Sequence, residues 1–224
     1  MIPIPPIETL RWISTFISIG VKFVLAAYFF HRYSREKAGI PLVWGTGFFF
    51  FGLSQVPVVA MRYFGDPTTD MAFALLGALI AALALALLYY GTSLLFFPKG
   101  SFMQGKLSIV FFTVMAVVVL AFRLFAAPEN ILKSVFLIVA SGFIFPILGL
   151  VALLFFMIWR KLEPENPRRT NVFVVAVAWL VYSVVNGGGT FSVGKPYEWV
   201  FYVLATGAFL VLLYGMTVGK ATGS

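Results

Sequence analysis

Apolar residues run along this chain in seven long blocks, and the polar residues gather in short breaks between them. The blocks cover residues 8–31, 39–62, 71–96, 106–126, 133–158, 171–188 and 197–219. A helix that crosses the hydrocarbon core of a bilayer needs about 20 mostly apolar residues, so each block is expected to be a spanning helix. The breaks read HRYSREKAGIP, RYFGDPTTD, FPKGSFMQGK, APEN, RKLEPENPRR and GGGTFSVGKP. Each carries Pro, Gly or several charges, the chemistry that interrupts a helix and turns the chain. The sixth block is the shortest, and little more than APEN parts the fourth from the fifth. The expected fold class is an all-α membrane protein, a seven-transmembrane-helix bundle forming a single domain over residues 1–224.

Composition removes the soluble alternative. Of 224 residues, 61% are hydrophobic and 11% charged, and the mean hydropathy is +1.00. Soluble domains carry about one charged residue in four, so this chain has too little charge to cover a water-facing surface. With no cysteine there is no disulfide, thiolate chemistry or Cys-ligated metal. The only histidine is His31, which leaves no basis for a His-ligated metal or haem site. The first residues, MIPIPPIETLRW, lack a basic leader region, so the first block is expected to be a retained helix and not a cleaved signal.

A formal net charge of +8 would suit nucleic acid, but the basic residues sit at the ends of apolar blocks, where they orient helices in the membrane. No nucleic-acid partner is expected. The breaks after blocks one, three and five and the C-terminal tail hold Arg32, Arg35, Lys37, Lys99, Lys106, Arg160, Lys161, Arg168, Arg169 and Lys220. The opposite side holds Arg11, Arg62, Arg123, Lys133 and Lys195. Ten against five in short loops predicts an N-terminus outside and a C-terminus in the cytoplasm of a cell membrane. No loop is long enough to fold as a soluble module, so function is expected inside the bundle or in a partner it docks.

The two halves of the chain share features at an offset of 124–126 residues. Tyr28-Phe29-Phe30-His31-Arg32 closes block one where Leu154-Phe155-Phe156-Met157-Ile158 closes block five, and each is followed by a basic loop with a proline, Pro41 or Pro167. Leu87-Leu88-Tyr89-Tyr90-Gly91-Thr92 near the end of block three matches Leu212-Leu213-Tyr214-Gly215-Met216-Thr217 in block seven. Gly20 falls opposite Pro146, both potential weak points in a helix. The arrangement, two parallel three-helix repeats joined by helix 4, resembles the seven-helix proteins that include microbial opsins, SWEET-type sugar carriers and related small permeases. The resemblance is one of architecture and spans the whole chain. It implies a solute site near the midplane at the repeat interface. It does not extend to a pigment, because block seven has no lysine from Tyr197 to Gly219 and no carboxylate lies deep in any block.

Polar residues in hydrocarbon are costly, and each asks for a reason. Lys22 lies well inside block one, with Ser14 and Ser18 before it at four-residue spacing on one helical face. It reads either as a buried cation that binds an anionic group or as a snorkelling residue whose stem carries its ammonium to the cytoplasmic interface. Ser54, Gln55 and Pro57 in block two and Tyr182, Ser183 and Asn186 in block six sit at similar outer depth, the latter just before Gly187-Gly188-Gly189. They could bind a polar ligand, or serve as interhelical hydrogen bonds. The candidate ligand-binding set is therefore Lys22, Ser18, Ser54, Gln55, Tyr182, Ser183 and Asn186. Arg123 reads as a snorkelling residue at the outer end of block four. Trp12, Trp44, Trp159, Trp199, Tyr28 and Tyr197 read as interfacial anchors. Ala74, Ala78, Ala82 and Ala86 form a small-residue stripe for close helix packing.

No catalytic, metal or cofactor motif is present, and enzyme activity is not expected; the triple glycine lacks the lysine and the strand-to-helix setting of a phosphate loop. The leading expectation is a small-solute permease or carrier with its site inside the bundle. The alternatives are a receptor-like sensor working through a cytoplasmic partner and a structural subunit beside another membrane protein. The bilayer itself is a partner in every case.

Overall fold

The computed structural model describes residues 6–57, 59–60, 67–125, 138–192 and 197–217. These contain no β-strand and seven α-helices: α1 (Pro6–Glu36), α2 (Gly39–Leu53), α3 (Pro67–Phe96), α4 (Leu107–Phe125), α5 (Phe145–Lys161), α6 (Arg169–Ser192) and α7 (Glu198–Thr217). With the π-helical turns that lead into α4 and α5 counted, six of them are long and apolar enough to cross a membrane; α2 is the exception. The chain is an all-helical, multi-pass membrane protein. Arg62, Asp66, Glu129, Lys133, Lys195 and Lys220 fall outside the described residues, as does the side chain of Arg123.

The second block departs from its expected span. Expected to run over 39–62, it is a regular helix only to Leu53, followed by a turn at Ser54 and Gln55. Pro57 supplies the cause: it has no N–H for the carbonyl of Leu53, and its ring crowds the preceding turn. The chain tightens there, with the Gln55 N–H donating to Gly52 O at 3.2 Å, three residues back, before the Val59 N–H returns to Gln55 O. The other marked proline acts in the same way. Pro146 cannot bond Gly142, and a wider π-helical stretch, Ile138–Ile144, leads into α5. Its notional counterpart Gly20 disturbs nothing, since α1 is helical through it.

Packing follows the chain. α1 lies on α2 and α2 on α3; α5 lies on α6 and α6 on α7. Two further contacts, α1 on α7 and α3 on α5, join these groups edge to edge, while α4 packs mainly on α3. The close approach of α2 and α3 depends on glycine. A methyl group on Gly47 would lie 3.0 Å from Leu88 Cδ2, and one on Gly91 would lie 2.8 Å from Trp44 Cδ1. Of the small-residue stripe on α3, Ala78, Ala82 and Ala86 are buried and Ala74 is partly so, and the Ser108 hydroxyl of α4 donates to Ala86 O at 2.7 Å. Trp44 is not an interfacial anchor: it is buried in the core, in ring contact with Phe29, Phe48 and Trp179. Gly91 on α3 leaves the room its indole occupies. Tyr197 and Trp199, by contrast, are exposed, as anchors should be.

Candidate functional site

Four helices, α1, α2, α6 and α7, meet around one side chain. Ser14, Ser18 and Lys22 share a face of α1 as their spacing predicts, and all three are buried, Lys22 with no exposure at all. Ser14 ties α1 to α7, its hydroxyl 3.0 Å from Tyr202 O and 2.6 Å from the Thr206 hydroxyl. Two turns further on, Lys22 projects inward. Its Nζ lies 4.2 Å from the ring centre of Phe51 on α2, 4.6 Å from that of Phe209 on α7, and 5.9 Å from that of Tyr182 on α6.

The three rings hold one another. Tyr182 meets Phe209 at 4.2 Å and Phe51 at 6.0 Å, both edge to face, and Phe51 lies 6.2 Å from Phe209. Together they form an aromatic cage, and a ring face attracts an ammonium through its quadrupole. At 1.5 Å per residue, about 24 Å of α1 precede Lys22 and about 21 Å follow it. The amine is therefore near the middle of the longest helix.

This geometry rules out snorkelling, the alternative that sequence left open. A helical Cα–Cβ bond tilts toward the helix N-terminus, so Lys22 points away from the C-terminal end of α1, the end toward which snorkelling would carry its ammonium. Its Nζ is buried and has no hydrogen-bond partner. Ring faces attract its charge but do not replace an oxygen acceptor for its three N–H donors. A second donor is in the same condition. Trp179, one turn before Tyr182 on α6, is completely buried and its Nε1 has no partner. Trp179 stacks on Phe48 at 5.9 Å, one turn before Phe51 on α2, so a second aromatic layer adjoins the cage. Buried polar atoms are ordinarily paired, and two unpaired donors on adjoining layers form an environment suited to an acceptor-bearing group.

The remaining candidates separate in two ways. Tyr182 belongs to the cage. Ser54 donates to Phe51 O at 2.8 Å within its own turn, and Asn186 Nδ2 donates to Tyr182 O at 2.8 Å. Ser183 crosses between helices, donating to Phe145 O at 2.6 Å beside the π-helical stretch. These three act as structural hydrogen bonds. Gln55 differs, because its Oε1 is buried without a partner at the α2 turn. Phe51 and Phe209 were not among the sequence candidates. Nothing marks them among 26 phenylalanines, and only the facing lysine gives them meaning. No group of three His, Cys, Asp or Glu residues able to hold a metal occurs among the described residues. Compared with protein-family models, with curated proteins and with solved structures, the chain gives no match.

Proposed function

We propose that this chain crosses the membrane seven times, N-terminus outside and C-terminus in the cytoplasm, and carries a small neutral or anionic solute through the bundle past Lys22. The observation that carries the reading is the Lys22 amine, wholly buried near mid-helix and without a hydrogen-bond partner. The excess of basic residues on one set of loops supports the orientation. Two three-helix groups, α1–α3 and α5–α7, joined by the edge contacts α1–α7 and α3–α5, support a pair of parallel repeats with α4 as the linker. The cage lies where α1 and α2 of one group meet α6 and α7 of the other, the place such repeats reserve for a solute.

On this reading, rocking of one group against the other changes the cage in a defined way. Phe51 moves with Lys22, while Tyr182 and Phe209 belong to the opposite group and withdraw, freeing one side of the ammonium for a solute. In its ammonium form Lys22 would also oppose the passage of cations.

A structural subunit is the second reading, favoured by the internal hydrogen bonds of Ser54, Ser183 and Asn186. Purified protein separates the two. Liposomes containing it are loaded with radiolabelled small carboxylates, sugars or halides in turn, with Lys22→Met as the control. Flux of any of these that Lys22→Met abolishes supports the carrier. Absence of flux across the panel, with stable co-purification of another membrane protein, moves the assignment to the subunit.

A further inference from the structure

A second site lies away from the cage, on the lipid-facing side of the bundle. Between α3 and α4 a groove of about 410 Å³ is open to the surroundings and lined almost wholly by apolar side chains, among them Leu83, Leu87, Ile109 and Phe112. α4 packs mainly on α3, and its outer residues Ile109, Val114, Val117, Leu120 and Leu124 are exposed. From Tyr90 to Leu83 the groove runs about 10 Å down α3. At its loop end Gly105 leaves the mouth open: a methyl there would meet only Tyr90, at 3.8 Å.

The loop that carries Gly105 holds basic and no acidic residues. Lys106 follows Gly105 directly, Lys99 lies in the same loop, and both are exposed. Lys161 brings a third amine to the end of α3, its Nζ 4.7 Å from the centre of the Phe96 ring. From residue 71 to residue 128 the sequence has no Asp or Glu. The loop itself is firmly built, so the lysines hold their place. The Ser93 hydroxyl is 3.0 Å from Gln104 O, Gln104 Nε2 donates to Phe97 O at 3.2 Å, and the Tyr89 hydroxyl donates to Met103 O at 2.7 Å.

An apolar slot whose end at Gly105 adjoins a basic, acid-free loop fits an amphiphile with a negative head. We infer that the α3–α4 groove binds an anionic phospholipid, one acyl chain along Leu83, Leu87, Ile109 and Phe112 and the phosphate at Lys99 and Lys106. A zwitterionic lipid offers the same chain but no net charge, so the lysines confer the selectivity. Each lysine near an anionic surface is worth a factor of about five in binding.

Native mass spectrometry and thermal unfolding of the full chain in detergent, with phosphatidylglycerol or phosphatidylcholine added, test this. The expected result is retention of phosphatidylglycerol and a higher Tm with it than with phosphatidylcholine. Lys99→Gln with Lys106→Gln lowers phosphatidylglycerol affinity by about 25-fold, and Ile109→Trp, which fills the slot without altering charge, lowers affinity for both lipids. Equal retention of the two lipids by the wild type overturns the proposal, as does unchanged selectivity in the double lysine variant or unchanged binding in Ile109→Trp. A Tm rise as large with inorganic phosphate alone overturns it too, because the groove would then have no part. None of these outcomes depends on Lys22.

Discussion

The aromatic cage makes a claim that a double-mutant cycle can measure. Lys22→Met keeps the length of the side chain and removes its charge. A charge at the centre of a membrane helix costs about 2.5–3.5 kcal/mol. Against this stand two ring faces at 4.2 and 4.6 Å, each worth about 2 kcal/mol when desolvated, with Tyr182 at 5.9 Å adding less. The two sides nearly cancel, so Lys22→Met should alter stability by less than about 1.5 kcal/mol, the outcome common when a buried charge gives way to an apolar side chain of similar size. The rings then report the cage. Phe209→Leu should cost about 1–2 kcal/mol more with Lys22 present than in combination with Lys22→Met, because only the first case loses a ring face along with packing volume. Reversible unfolding in mixed micelles, followed by tryptophan fluorescence for the four proteins of the cycle, gives the coupling. Independent sites add to within about 0.3–0.5 kcal/mol, so a coupling inside that range would mean that Lys22 is not held by the rings.

Other parts of the molecule give sharper contrasts. Ser183→Ala removes a bond between α5 and α6 and should cost about 0.6 kcal/mol, up to about 1.7, while Ser54→Ala, whose hydroxyl serves its own turn, should cost less in the same unfolding assay. Gly91→Ala places a methyl 2.8 Å from Trp44 and should destabilise by about 1–3 kcal/mol through overpacking. Gly20→Ala meets nothing within 4 Å and should raise stability by about 0.5–1 kcal/mol, the helix-interior advantage of alanine. Because the chain has no cysteine, single cysteines report its topology: Lys37→Cys and Glu163→Cys should react with an impermeant maleimide only after the membrane is opened, and Tyr197→Cys in intact cells. The reverse pattern would invert the orientation.

The helices were legible because a bilayer writes them plainly. Only an unbroken apolar run can carry its backbone through hydrocarbon, so six of the seven blocks reappear as long helices with ends shifted by a few residues. The second block was read as one unbroken helix, whereas the chain turns at Ser54 and Gln55 before helix resumes at 56–57 and 59–60; its apolar run continues past Pro57, and hydropathy does not register a missing N–H. Pro146 was marked correctly as an irregular point, but its π-helical form was not foreseeable. The site was half legible. Lys22 stood out because a lysine in an apolar block is costly unless it snorkels or is bound, and Ser14 and Ser18 lined up with it by helical geometry alone. Trp44 misled for a physical reason: an indole near the end of a block suits an interface and a glycine-lined core equally well. Only Gly91, distant in sequence on another helix, decides between them. Phe51 and Phe209 carried no signal, since a phenylalanine in a membrane helix is unremarkable until its neighbour is known.

The cage also departs from the internal repeat that the sequence suggests. At the offset that aligns the two halves, Lys22 falls opposite the stretch Pro146-Ile147-Leu148, which is apolar, with Ile147 and Leu148 buried. The second group thus repeats the helix but not the charge. It contributes rings instead, Tyr182 from α6 and Phe209 from α7, to an ammonium that comes from α1. On the proposed pair of repeats, two like charges facing each other across the axis would repel in a medium that screens poorly. One charge against three ring faces can be buried at nearly no net cost, as the balance above indicates. A single amine therefore suits the axis better than a pair. The seam between α1–α2 and α6–α7 holds the Lys22 amine, and the contact between α3 and α5 has no basic counterpart at the aligned position.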